Sequence, residues 1–230
     1  MATKLYWFRS FFYIKEALEC IVKLENLVYN IKIRDIRIYT NVTRVQRSTL
    51  MKTIYILLTR SSSVLSRVIH FATGDDYTHV SIAFDKELHT LYSSGRKNGW
   101  TVIPAGPCKE SIREGFITKQ KNVPCALYKL VVSDKVYEMA KQEVENIMDN
   151  ADEYHYNIIG LLLCRLNIPY NRKKNYFCSQ LVSEVLRRSN AMKFPKKTSL
   201  MRPTDYMQLQ GLLLCFTGVL EELIPNLSSM

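Results

Sequence analysis

The strand-like segments of this chain do not alternate regularly with helices, and this order constrains the fold more than any other feature. A run of β-branched and aromatic residues predicts a buried strand at residues 53–59. Apolar and polar residues alternate over residues 77–85, and residues 88–93 follow a tight turn, so the two segments predict a β-hairpin. Strands grouped beside a few helices, without repeated βαβ units, are typical of the α+β class. We therefore predict an α+β domain.

The remaining elements follow from periodicity, capping residues and chain breakers. Further strands are predicted at residues 100–103, 115–118, 125–132 and 212–216. Helices are predicted at residues 61–73, 157–166 and 178–188, with a short segment at 203–210. Another helix is predicted to begin at a cap formed by Ser133 or Asp134.

Three segments are distinguished along the chain. The segment that begins at Met51 is typical of the start of a compact domain, so residues 51–220 are predicted to be the main domain. Residues 1–50 are an N-terminal extension of unclear role, with an amphipathic helix predicted at 5–27 and a strand-like stretch at 31–38. Residues 221–230 are predicted to be a C-terminal tail.

Composition narrows the class of protein further. The six cysteines are scattered, with no Cys-x-x-Cys pair and no secretory leader before them, so free thiols in a reducing cytoplasm are expected. The longest apolar runs fall short of the roughly 18–20 residues that a spanning helix needs. A net charge of +11 favours anionic partners, such as a membrane surface or nucleic acid, without selecting one.

Cys178 is the strongest candidate for a functional residue. It lies where a polar loop becomes a helix, and it is the first member of an apolar stripe that continues through Leu181 and Val182. The stripe alone is also consistent with a plain core cysteine. However, a thiol in the first helical turn faces unpaired backbone N–H groups and the positive end of the helix dipole, which favour the thiolate.

His79 is the best candidate for a base that would act with Cys178. It shares a strand face with the small residues Ser81 and Ala83, over which the Cys178 helix is predicted to pack. A three-residue turn at 85–87 would place Ser93 opposite His79, and a two-residue turn would place Ser94 there. Either hydroxyl would orient the imidazole ring.

Other site residues are assigned more loosely. An oxyanion formed by thiolate attack would use the backbone N–H of Cys178 and a second donor. Tyr77 and Tyr55 are candidate substrate-binding residues. Gln180 is a third candidate, although at one turn into the helix it is equally suited to capping or packing.

These motifs together resemble a known family. His79 in Tyr-Thr-His-Val-Ser-Ile, a polar position on the following strand, the Tyr156-Asn157 segment, and Cys178 in Phe-Cys-Ser-Gln-Leu-Val are similar to motifs of the circularly permuted papain-like group. That group is related to NlpC-type cysteine peptidases and to lecithin:retinol acyltransferase-like proteins. The histidine precedes the cysteine here, as the permuted order requires. The resemblance covers residues 52–215.

The resemblance implies a small antiparallel sheet packed on the cysteine helix, and acyl chemistry through a thioester. In that group the third polar residue is often His, Glu, Asn or Gln, whereas the predicted register supplies a serine. We expect a cysteine-dependent hydrolase or acyltransferase acting on an amide, peptide or lipid-like ester, with no metal or organic cofactor. The alternative is a non-catalytic binding module on the same fold that contacts an anionic surface.

Overall fold

The computed structural model describes residues 50–60, 74–96, 104–114 and 119–227. The chain divides into two compact units, Met1–Leu50 and Met51–Met230, and the boundary coincides with the start expected at Met51. The elements predicted at 5–27, 31–38, 61–73, 100–103 and 115–118 lie outside the described residues.

Within the described residues, six antiparallel strands form one open sheet in the order β4-β3-β2-β1-β5-β6. The strands are β1 Met51–Thr59, β2 His79–Ala83, β3 Leu91–Arg96, β4 Ala105–Glu110, β5 Pro124–Ser133 and β6 Leu212–Val219. The helices are α1 Asp134–Asp149, α2 Ile158–Arg165, α3 Cys178–Arg188 and α4 Leu220–Asn226. Short 3₁₀ segments lie at Ala151–Glu153, Thr198–Leu200 and Pro203–Gln208. The predicted α+β class is confirmed.

Helices α1 and α3 cover one face of the sheet. The apolar stripe of α3, with Leu181 and Val182 fully buried, packs against Val80 and Ile82 of β2 and the inward residues of β1. Ser133 caps α1, as its sequence indicates, because its hydroxyl accepts a hydrogen bond from the Val136 N–H. The opposite face of the sheet carries a second apolar cluster.

The predicted packing of the cysteine helix on the small-residue face of β2 is wrong. Helix α3 lies over Val80 and Ile82, whereas Ala83 belongs to the cluster on the other face. The apolar stripe of α3 gains more by covering two large apolar side chains than by covering Ser81 and Ala83, since burial energy scales with apolar area. His79 and Ser81, at the start of the other face, are thereby left for polar contacts.

The predicted hairpin register is also wrong. Ile82 pairs with Tyr92 and Ala83 with Leu91, so the connection between β2 and β3 is longer than a two- or three-residue turn. Leu88 adopts a left-handed φ of 53° and is fully buried in the second apolar cluster. The loop extends because it brings this leucine into the core, and that burial offsets the conformational cost.

The predicted C-terminal tail belongs to the folded unit through residue 227. Helix α4 carries Leu220 and Leu223 into the second apolar cluster, and Leu227 follows them. The domain therefore extends beyond the predicted end at residue 220. Among the described residues, no helix combines the length and the apolar composition that crossing a bilayer requires.

One buried carboxylate anchors the C-terminal half of α3. Glu184 is only 7% exposed and accepts hydrogen bonds from Arg187 at 2.8 Å, Arg188 at 3.1 Å and the Thr198 hydroxyl. Burial alone would raise the pKa of Glu184, but these donors lower it, so the carboxylate stays charged. It ties α3 to the segment that follows it.

Replacing Glu184 by alanine is expected to lower the free energy of unfolding by about 1–3 kcal/mol, because the buried Thr198 hydroxyl loses its partner. Urea unfolding would measure this loss, provided that the slope of the unfolding free energy against urea concentration is unchanged. Glu138→Ala removes an exposed carboxylate that pairs with Lys52, and it is expected to cost less than about 1 kcal/mol. Equal losses in the two variants would contradict the anchoring role.

Candidate active site

Cys178 begins helix α3, as the sequence predicts. The residue before it, Phe177, is fully buried against Leu161 and Cys164, and no side chain caps the first turn. Hydrogen bonding from the backbone at Val80 and Ser179 is among the causes that lower the pKa of the Cys178 thiol, which puts the sulfur at the junction between the helix N-terminus and the start of β2.

The imidazole ring of His79 lies between a sulfur and a carboxylate. His79 is the first residue of β2, and its Nε2 donates to Glu110 Oε1 at 2.9 Å and to Oε2 at 3.0 Å. Interaction with the Cys178 sulfur is among the causes that raise the pKa of the ring, and Nδ1 is the nitrogen that the carboxylate leaves available for it. Cys178 is 4% exposed, whereas the side chains of His79 and Glu110 are 24% and 30% exposed. Solvent therefore reaches the site from the histidine side.

Glu110, the last residue of β4, is a site residue that the sequence did not predict. Besides His79, it accepts a hydrogen bond from Ser81 Oγ at 2.7 Å and a weak one from Cys108 Sγ at 3.8 Å. Ser81 thus fixes the carboxylate, and the carboxylate fixes the imidazole ring. Glutamate is also one of the residue types that the resemblance associates with the third position.

The electrostatics of the three groups favour a thiolate beside an imidazolium. Burial would raise the pKa of Cys178, but the His79 hydrogen bond and charge lower it below its ordinary value. Burial would lower the pKa of His79, but Glu110 and then Cys178 raise it well above the usual 6.5. Burial also opposes ionisation of Glu110, yet His79 and Ser81 lower its pKa. The charged forms support one another.

Ser93 does not orient His79, and this correction follows from the register. The Ser93 hydroxyl is fully buried and donates to the Val80 carbonyl at 2.7 Å. The alternative, Ser94, donates to the Tyr176 carbonyl at 2.7 Å and joins β3 to the segment before α3. Both serines hold the frame of the site, and neither touches the imidazole.

The three predicted substrate-binding side chains are occupied by packing and by internal hydrogen bonds. Tyr77 is buried in the main apolar cluster. Tyr55 packs with the second apolar cluster. It lies four residues along β1 from Thr59, the strand partner of His79, so roughly 13 Å separates Tyr55 from Thr59. Gln180 is fully buried between Asn157 Nδ2 at 3.2 Å and Asn171 Oδ1 at 3.3 Å. Gln180 therefore packs inside the fold, which was one of the alternatives to substrate binding that its position in the helix allowed.

Tyr156 and Asn157 join α2 to the site. Asn157 caps α2 by accepting from the Gly160 N–H at 2.9 Å, and its amide donates to Gln180. Burial raises the pKa of the Tyr156 hydroxyl well above its ordinary value, and nearby Cys178 adds to the effect, whereas Arg165 opposes it. Tyr156 therefore keeps its proton and remains able to donate a hydrogen bond.

The other described cysteines lack this activation. Burial raises the pKa of Cys164 and Cys215, and it raises that of Cys125 to about 12. Cys108, although it touches Glu110, has a raised pKa because burial and the carboxylate both disfavour its thiolate. Among the described cysteines, Cys178 is the one whose pKa is lowered.

The other described histidines, His89 and His155, lie outside this arrangement. His89 pairs with Asp85 at 2.9 Å on the exposed β2–β3 turn, and His155 is an exposed loop residue that pairs through its backbone with Asn175. His70 lies outside the described residues. Asp85, Glu87 and His89 are close enough to share a cation, but exposed acidic groups commonly lie this close without one.

Gly95 lies beside the imidazole, where a side chain larger than a methyl group would meet the ring. A Cβ at this position would lie 3.7 Å from His79 Cε1 and 3.4 Å from Glu110 Oε1, which are ordinary contact distances. Gly95→Ala is therefore expected to keep its activity, whereas the extra methyl groups of Gly95→Val would displace the ring. We expect Gly95→Val to lower kcat/KM by at least about tenfold, because small misplacements of catalytic groups are costly. Equal rates for the two variants would show that the ring position is not critical.

No family model matches the chain, and no match was found among the curated proteins or the solved structures.

Proposed function

We propose that this protein is a cysteine-dependent hydrolase or acyltransferase, built on a permuted papain-like domain, that acts on an amide or ester. The observation that carries the proposal is the position of the His79 ring between the Glu110 carboxylate and the Cys178 sulfur. A nucleophile, a base and a group that orients the base are the three parts such chemistry needs. A binding module without catalysis would not require this arrangement.

In the first half-reaction, the Cys178 thiolate attacks the substrate carbonyl carbon and forms a carbon–sulfur bond. The carbonyl oxygen becomes an oxyanion, for which the backbone N–H of Cys178 and the protonated Tyr156 hydroxyl are the proposed donors. The bond to the leaving amine or alkoxide then breaks, and the His79 imidazolium gives that group its proton. The product of this step is a thioester on Cys178.

In the second half-reaction, neutral His79 takes a proton from water or from an acceptor alcohol or amine. The activated oxygen or nitrogen attacks the thioester carbonyl, and the carbon–sulfur bond breaks to restore the Cys178 thiolate. Glu110 stabilises the imidazolium in both steps without taking the proton itself. Water as acceptor gives hydrolysis, and another nucleophile gives acyl transfer.

Intact mass spectrometry after incubation with a panel of p-nitrophenyl acyl esters tests the proposal. We expect a mass increase of one acyl group that peptide mapping assigns to Cys178 and that Cys178→Ala abolishes. Cys164→Ala removes a buried thiol with a raised pKa, and it should acylate like the wild type. Acylation that stays the same in Cys178→Ala, or that maps only to lysines, would refute the proposed function.

A further inference from the structure

Helix α2 presents an apolar face to solvent. Its exposed apolar residues, with those just after its C-terminus, are Ile158, Ile159, Leu162, Leu166 and Ile168. At 3.6 residues per turn, the first four lie within a sector about 100° wide. Scattered exposed apolar residues are normal, whereas a continuous group on one face marks an interaction surface.

The buried side of α2 does not depend on this face. Leu161 and Cys164 pack on Phe177, and Arg165 pairs with the buried carboxylate of Asp75. The helix is thus anchored through its inner side and its C-terminal end. The outer apolar residues are therefore free of a structural role within the described unit.

Basic residues adjoin this apolar face. The loop after α2 returns to the start of the helix, because the His155 N–H donates to the Lys174 carbonyl at 3.0 Å. Arg172 and Lys173 on that loop are exposed, and within the described part of the chain neither pairs with a carboxylate. Residues 154–183 contain no Asp or Glu, so no acidic side chain of this stretch offsets the positive charge.

We propose that the α2 surface, made of Ile158, Ile159, Leu162, Leu166 and Ile168 with Arg172 and Lys173, docks on an anionic lipid membrane. In the docked state α2 lies in the plane of the interface, with its apolar side chains below the headgroups and the basic loop against lipid phosphates.

An anionic membrane fits this surface better than two other partners. Binding of single-stranded nucleic acid uses aromatic side chains for stacking, and a duplex is contacted mainly through its phosphates, whereas the exposed face of α2 is aliphatic. A second copy of the chain would cover the apolar face, but a two-fold contact would also bring identical basic loops to one interface. The docking does not require that Cys178 is catalytic.

Flotation of the full chain with lipid vesicles tests the docking. We expect it to float with phosphatidylcholine vesicles that contain phosphatidylglycerol, and much less with phosphatidylcholine alone. Leu162→Ser with Leu166→Ser is expected to reduce the bound fraction at least about fivefold, since the apolar contact is lost. Arg172→Gln with Lys173→Gln should reduce it similarly and weaken its dependence on salt.

Matched variants distinguish docking through the α2 surface from nonspecific hydrophobic adsorption and from an effect of net charge. Leu213→Ser with Leu214→Ser makes the same change at exposed leucines of the edge strand β6, and Lys121→Gln with Lys135→Gln removes two positive charges elsewhere. Both should bind like the wild type. Unchanged far-ultraviolet circular dichroism would show that every variant is folded.

Three results would overturn the proposal. Binding that survives the Leu162 and Leu166 changes would place the membrane contact elsewhere, including residues 1–50. Equal losses in the matched variants would show that the effect is not specific to α2. A dimer in sedimentation velocity that these two leucine changes dissociate, without vesicle binding, would assign the surface to a second copy of this chain.

Discussion

Replacing Cys178 by alanine is expected to reduce turnover of a reactive ester or amide at least about 10⁴-fold. The sulfur supplies the bond to the acyl group, and no other described thiol could replace it, since the pKa values of the others are raised. Removing a nucleophile leaves only the rate enhancement due to binding and to the oxyanion donors. Turnover under saturating substrate, measured with the ester that acylates the wild type best, gives the size of the loss.

Cys164→Ala is the control for this loss. Cys164 is as buried as Cys178 and lies on helix α2, but no imidazole of the described residues hydrogen-bonds its thiol. It should retain nearly full turnover. A Cys178→Ala variant that is folded and keeps more than about one-tenth of wild-type turnover would contradict the role of Cys178 as nucleophile.

Replacing Glu110 by glutamine is expected to lower kcat by about 10²–10⁴-fold, with a smaller effect on KM. The amide keeps the shape of the carboxylate but removes the charge that raises the pKa of His79. Loss of the analogous acid in a nucleophile–histidine–acid site has effects of this size. With the imidazolium less favoured, the apparent pKa of Cys178 should also rise, which a purely structural role for Glu110 would not produce.

Ser93→Ala distinguishes the observed arrangement from the one that a short hairpin would give. Ser93 donates to the Val80 carbonyl and does not touch the imidazole, so its loss should affect stability more than the pH profile. If Ser93→Ala shifted the profile and Glu110→Gln did not, the assignment of the orienting residue to Glu110 would be wrong.

The sequence predicted the two segments that meet at the site because each carries a strong local pattern. The stripe from Cys178 through Leu186 predicts helix α3 with its first residue at the turn, and the alternation after His79 predicts β2. Their contact is tertiary, and it was inferred from the positions of Cys178 and His79 and from the family resemblance. Periodicity alone favoured a plain core cysteine.

Glu110 could not be predicted because its strand does not have a strand-like sequence. Strand β4 is Ala-Gly-Pro-Cys-Lys-Glu, and glycine and proline are typical of turns. Proline is tolerated here because β4 is an edge strand of the sheet. The one local signal was the spacing of Cys108 and Glu110, which places both side chains on the same face of a strand.

The register error has a separate cause, which lies in the core. A two- or three-residue turn after Phe84 was the simplest interpretation of the local sequence, but the loop instead carries Leu88 into the second apolar cluster. Local turn preferences contain no information about that burial. The shift moved Ser93 away from His79 and brought Gly95 beside it.

The pH dependence of Cys178 alkylation tests the central claim most directly. We expect the rate of iodoacetamide modification, followed by mass spectrometry of the Cys178 peptide, to titrate at a pKa below the ordinary thiol value of about 8.5. The Cys178 thiolate would then remain ionised at neutral pH. The His79 ring beside it is still protonated there, because its pKa is raised. His79→Ala should move the Cys178 midpoint upward, to the ordinary value or above it. A wild-type midpoint at or above about 8.5 that His79→Ala leaves unchanged would contradict the thiolate–imidazolium pair.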